Sequence, residues 1–278
     1  ARQQPVDLYF AAAVSGVHGN DFVIHGHLII ETPGRFAESM SSARQEIKGT
    51  PGVWDLARGR RYTRPNQNRG RYTMQQVLVY ADSLSWGIIP TTRERLAFDA
   101  RWPGVLENTL NGPHRAIRVI EDCLNGRRTM WDDPSKPGRN GVMGLAQRIE
   151  IHSPLALVIL MLGTNDFQSM HDNDAARSAR GIAALITAIR QAPIEPGMSV
   201  PPILVVAPPP IAAPQGPIAA KFTGGDSKSV GLASAYRDVA SKQGCHFFDA
   251  GTVTTSSRVD GIHLDADQHL VLGAAIAD

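Results

Sequence analysis

The hydrophobic positions of this chain change rhythm near residue 74. From Val77 onward, short continuous apolar runs alternate with segments whose apolar residues recur every three or four positions. Val77 to Tyr80, Ile117 to Ile120, Leu155 to Leu162, Ile203 to Ala207 and His246 to Phe248 read as strands buried on both faces. Ile182, Leu185, Ile186 and Ile189 keep the i, i+3, i+4, i+7 spacing of a helix lying on a sheet, and Leu232, Tyr236 and Val239 begin another. Strands separated by helices imply parallel neighbours, because a parallel pair needs a crossover, and the pattern predicts a three-layer α/β sheet.

Residues 1–73 have another texture. Val6 to Val14 and Phe22 to Ile30 are expected to pair as two strands and Arg35 to Ile47 to form a helix. Gly49 to Thr73, rich in Gly, Pro, Asn and Arg, reads as a linker. The expected division is an N-terminal extension over 1–73 with no assigned role and a main domain over 74–278, with Met74 directly before the first core strand.

Composition narrows function mostly by exclusion. A chain of 278 residues, 42% of them hydrophobic, can bury a full core. Its net charge of +2 and the absence of an arginine stripe interleaved with aromatics argue against a nucleic-acid partner, and Arg58, Arg60, Arg61, Arg64, Arg69 and Arg71 read as a solvated linker. Cys123 and Cys245 are too few for a disulfide framework and lack Cys-x-x-Cys metal spacing, so no metal or cofactor is expected and a reduced, cytoplasmic setting is. The apolar runs are too short to span a membrane, and Leu8 to Val17, preceded by Asp7 and a single Arg2, makes a poor signal peptide.

Chemistry concentrates where the first core run stops. After Val77 to Tyr80 come Ala81-Asp82-Ser83-Leu84, which puts a hydroxyl at a strand's carboxyl end, where open α/β sheets bind their ligands. A serine is a poor nucleophile alone and needs a base, an orienting carboxylate and an oxyanion site. Asn125-Gly126 follows the second strand, Gly163-Thr164-Asn165-Asp166 the third, and Asp260-Gly261-Ile262-His263 stands near the end.

These four blocks, in this order, resemble the signature of the SGNH hydrolases, or GDSL esterases and lipases, with Ala81 where the family has Gly. Asp82-Ser83-Leu84-Ser85-Trp86-Gly87, Arg101-Trp102-Pro103-Gly104-Val105-Leu106, the run Ile159 to Asp166, and Leu204-Val205-Val206-Ala207-Pro208-Pro209-Pro210 look like its arylesterase and acyltransferase branch, over about Met74 to Asp278. The resemblance implies a flavodoxin-like α/β/α fold with a five-stranded parallel sheet. It also implies a serine esterase acting on short-chain acyl (acetyl) esters through an acyl-enzyme, with acyl transfer to alcohols or peroxide, and a homo-oligomer whose assembly narrows the site entrance. Ser83 would be the nucleophile, His263 the base and Asp260 its orienting partner, and an i, i+3 separation lets the last two meet. The oxyanion donors would be the Ser83 and Gly126 N–H groups and the Asn165 side-chain amide.

Other readings stay open at this point. A thioesterase or carbohydrate deacetylase would use the same triad, and a non-catalytic binding or assembly protein would keep the same fold. Trp86 is either a wall of the acyl pocket or a packed core residue. Asp132-Asp133 reads as a capping turn before Pro134 rather than a cation site. His114, His152, His171, His246 and His269 lack ligand spacing and read as structural or solvated. The Pro-, Ala- and Gly-rich stretch from Pro208 to Asp226 reads as a loop that shapes substrate access. Ala81 is tolerable if its backbone is extended.

Overall fold

The computed structural model describes the backbone of 8–18, 21–30, 54–55 and 60–61, and both backbone and side chains of 74–111 and 116–278. By its contacts the chain divides into two units, Ala1–Arg69 and Gly70–Asp278. In the first, β1 (Leu8–His18) and β2 (Asp21–Ile30) pair antiparallel, Leu8 against Ile30, with an irregularity between Val14 and Val17. β1 continues past the expected Val14 to His18, and β2 begins one residue before the expected Phe22. A two-residue pairing of β3 (Trp54–Asp55) with β4 (Arg60–Arg61) interrupts the stretch expected to be only linker. The expected helix Arg35 to Ile47 lies outside the described residues.

The second unit opens with β5 (Gln75–Ala81), α1 (Ser83–Trp86), α2 (Trp102–Leu110) and β6 (Ile117–Cys123). It continues with α3 (Leu145–His152), β7 (Leu157–Met161), α4 (Ala175–Arg190) and β8 (Ile203–Ala207). The last elements are α5 (Gly225–Lys228), α6 (Leu232–Lys242), β9 (His246–Asp249) and α7 (Ala266–Ala277). The five strands form one parallel sheet in the order β6-β5-β7-β8-β9. Counted within this unit the order is 2-1-3-4-5, and the strand order reverses at β5, beside β7.

The three inner strands are apolar because both faces are covered. Leu78, Val79, Val158, Leu160, Val205 and Val206 are wholly buried. Helices α2 and α7 pack together, as do α3, α4 and α6, giving the helical layers on either side. Ile182, Leu185, Ile186 and Ile189 of α4 are all buried, as their spacing predicts. On α6 the buried stripe is Leu232, Tyr236 and Ala240, one position past the expected Val239. The run Leu155 to Leu162 is apolar throughout, but only Leu157–Met161 is strand, since burial continues past the last ladder bond. Among the described residues, no helix is long and apolar enough to cross a membrane.

Candidate active site

Strand β5 runs out at Ala81, which is fully buried and paired with Cys123 of β6 and Met161 of β7. Arg93 is the sole non-glycine with positive φ among the described residues, so Ala81 replaces glycine without backbone strain. The chain then turns into α1, and Asp82 caps it: Oδ1 accepts the Leu84 N–H at 2.9 Å. Ser83 is the first helical residue, 5% exposed.

The candidate base comes from the other end of the domain. His263 Nε2 lies 3.1 Å from Ser83 Oγ, and its Nδ1 lies 2.6 Å from Asp260 Oδ2. The loop that carries them is tied at several points. Asp260 Oδ1 accepts the N–H groups of Ile262 and His263, each at 2.9 Å. Buried Ser257 donates its N–H to the His263 carbonyl at 2.7 Å and its hydroxyl to Asp265, the N-cap of α7, at 2.8 Å. Gly261 adopts φ +77°, and a Cβ there would stand 2.5 Å from the Ala213 carbonyl, so only glycine fits between the two functional residues. Burial pushes the Asp260 carboxyl up, but the imidazole and the two amides more than offset it and leave its pKa below the ordinary 3.8.

Gly126 sits in a turn closed by the Arg127 N–H to the Leu124 carbonyl at 2.9 Å, with φ +83°. A Cβ would meet nothing nearer than 3.9 Å, so the left-handed backbone, not crowding, selects glycine. Arg127 anchors the turn: it donates to the carbonyls of Ala81 and Asp122 and to the Asp122 carboxylate, and lies 3.8 Å over the Tyr80 ring. Among the described residues, neither the Ser83 N–H nor the Gly126 N–H is donated to another protein group.

Asn165 follows β7, 4% exposed. Its amide nitrogen is not idle, donating to Asp82 Oδ2 at 2.9 Å and, less closely, to the Arg127 carbonyl at 3.2 Å. Asp82 is fully buried against these neutral donors, and burial pushes its pKa up to about 7 despite the Leu84, Asn165 and Arg127 contributions. Neighbouring Asp166 is pushed by burial to about 6 while accepting from Thr129 N–H, Thr129 Oγ1 and Ser178 Oγ. It fastens the loop after β6 to α4. Sequence reasoning missed the bracing by Asp82, Arg127 and Asp166; the block residues Asp82 and Asp166 carried the available signal.

Trp86, at the end of α1, is half-buried beneath the Arg95 guanidinium, 5.0 Å from its ring centre, rather than packed into the core. The tryptophan that packs fully is Trp102, whose Nε1 donates to Ser85 Oγ at 3.0 Å and whose N–H goes to His269 Nδ1 at 3.2 Å. His269 is wholly buried, and burial holds its pKa down to about 3, with His263 and Arg101 adding to the effect. It is therefore structural and neutral. His114 lies outside the described residues. Asp133 forms the expected capping turn, accepting from Ser135 N–H and Oγ and from Lys136 N–H, and also pairs with buried Arg128 at 3.0 Å.

The stretch from Pro208 to Asp226 is hydrogen-bonded to two of the site's loops. The N–H groups of Ala212 and Gln215 donate to the carbonyls of Gly261 and Asp260, at 2.9 and 3.0 Å. Further along, the Lys221 and Ala220 carbonyls accept from Ser169 N–H and Oγ. One segment thus splints the Asp260–His263 loop to the region after Asn165.

The sequence profile of the GDSL-like lipase/acylhydrolase family matches residues 82–271. Among solved structures, the native aryl esterase of M. smegmatis is 38% identical over 73% of this chain and 96% of its own, with a TM-score of 0.69. A carbohydrate acetylesterase from Sinorhizobium meliloti is 36% identical over 73% of this chain and 97% of its own, again with a TM-score of 0.69. None of the curated proteins searched matched the chain. The chain belongs to the GDSL-like lipase/acylhydrolase family, and it is a carboxylic ester hydrolase.

Proposed function

We propose that the chain is a serine esterase that cleaves short-chain acyl esters, acetyl esters above all, through an acyl-enzyme. The observation that carries this reading is the continuous chain Ser83 Oγ, His263 Nε2, His263 Nδ1, Asp260 Oδ2, with separations of 3.1 and 2.6 Å, at the carboxyl ends of the strands. Ser83 Oγ attacks the ester carbonyl while His263 Nε2 takes its proton and Asp260 stabilises the resulting imidazolium. The Ser83 and Gly126 N–H groups bind the oxyanion, and Asn165 joins them by exchanging its longer contact, to the Arg127 carbonyl, for the developing charge. The imidazolium then protonates the leaving alkoxide. Water, its proton drawn to His263, cleaves the acyl-enzyme and frees Ser83.

Trp86, three residues past Ser83 and half-buried, walls the acyl site and limits acyl length. An alcohol or peroxide replaces water in the second step, because the acyl-enzyme is open to any nucleophile that His263 can deprotonate. The Sinorhizobium relative favours a second substrate class, acetylated sugars, on the same triad. Parallel kinetics on aryl acetates, acetylated sugars and acyl thioesters rank the classes. Covalent capture by an organophosphate, lost in Ser83→Ala, tests the acyl-enzyme, and a purified protein that captures none would sink it.

A further inference from the structure

Behind Asn165 lies a buried chain of hydrogen bonds that the catalytic steps above leave unused. Arg128, wholly buried on the loop after β6, donates Nε to the Asn165 carbonyl at 3.2 Å and Nη2 to Gln168 Oε1 at 2.5 Å, with Nη2 also 3.3 Å from Met170 Sδ. Its Nη1 stands 3.0 Å from Asp133 Oδ2, so the buried charge has a counter-ion. Gln168, also wholly buried, donates Nε2 to Asn165 Oδ1 at 2.7 Å.

The polarity of this chain is fixed from one end. A guanidinium has donors only and keeps its proton, so Gln168 must turn its oxygen to Arg128. That leaves the Gln168 NH2 facing Asn165, which must answer with its own oxygen. The Asn165 NH2 is thereby committed to the opposite side, toward Asp82 and the Arg127 carbonyl. Successive amides in such a chain polarise one another, and a cation at its head strengthens the last donor.

We propose that Gln168, oriented by Arg128, is a positioning residue that holds the Asn165 amide with its donor end toward the oxyanion. The proposal rests on the reading of Asn165 as an oxyanion donor. It concerns catalysis, not substrate affinity, because the interaction it supports strengthens only in the transition state.

Gln168→Glu tests it most sharply. The variant preserves shape and an acceptor for Arg128 but sets an oxygen against Asn165 Oδ1. Gln168→Met, which removes both bonds, is the second variant, and thermal melts verify folding of each. On an aryl acetate, either change should lower kcat by about 10-fold to 10²-fold with KM held within about threefold. In an Asn165→Ala background the same changes should add less than about twofold, since the donor they orient is gone. Unchanged kcat in folded Gln168→Glu, or losses that multiply in full with Asn165→Ala, would overturn the positioning role alone. Activity surviving in Ser83→Ala would instead overturn the esterase reading and this proposal with it.

Discussion

Asp82 precedes Ser83 in the chain and Asp260 reaches it through His263; both are buried and both accept hydrogen bonds, yet their proton affinities move in opposite directions. Asp260 faces two backbone amides and an imidazole 2.6 Å away, a partner that can take up positive charge. Asp82 faces one backbone amide and the neutral Asn165 side chain. Desolvation acts on both: at Asp260 the imidazole and the two amides outweigh it, while at Asp82 the Leu84 amide, Asn165 and the nearby Arg127 charge do not. Under the proposed mechanism the difference separates two jobs: Asp260 stabilises charge formed during reaction, and Asp82 holds neutral groups in position.

The largest effects fall on the side of Asp260. Ser83→Ala and His263→Ala should each lower aryl acetate turnover by about 10⁴-fold to 10⁶-fold, with little further loss in the double variant, because the two act as one unit. Near-normal turnover in either folded variant would remove the mechanism. Asp260→Asn should cost about 10⁴-fold in kcat by releasing the wrong imidazole tautomer, whereas Asp82→Asn should cost only about tenfold by loosening Asn165 and the α1 cap. Equal losses would erase the division of labour between the two aspartates.

Stability against pH sharpens the same contrast. With a folded pKa near 7 against an ordinary 3.8, Asp82 gives the folded state the extra proton across that window, so its contribution weakens as pH rises. The Tm of Asp82→Asn relative to wild type should therefore climb between pH 4 and 7 and level off above. Asp260, whose folded pKa lies below 3.8, contributes its full share throughout that range and loses it only on stronger acidification. The Tm deficit of Asp260→Asn should accordingly stay nearly flat over the same titration. Melts with the two slopes interchanged would contradict the assignment.

The smallest effect concerns residues 1–73. The groups given catalytic roles all lie beyond Met74, so a chain beginning there should keep its kcat/KM within about tenfold, roughly 1.4 kcal/mol in transition-state stabilisation. A truncated protein that is insoluble or inactive would give the extension a part in the core or the assembly.

What the sequence made legible follows from its patterns. The five strands register as apolar runs and α4 as a stripe, because burial on two faces or on one leaves a period. Ser83, Asp260 and His263 were visible through their blocks. The supports were not: Asn165 reaches Asp82 across 83 positions and Gln168 meets Arg128 across 40, and no period or spacing marks such pairs. Arg127 and Arg128 carry no sign of burial in a polar stretch. The Asn165 amide, expected as an oxyanion donor, is held by two protein acceptors because a buried NH2 group left unpaired is costly.

The strand order has a consequence for synthesis. Ser83 directly follows the first core strand to be made, while His263 follows the last by 14 residues and is 180 positions from the serine. A nascent chain that already contains every strand of the sheet still lacks its proposed general base, since synthesis runs from the N-terminus onward. Hydrolytic power thus arrives only when the final loop closes and α7 docks on α2, so an incomplete polypeptide is chemically silent.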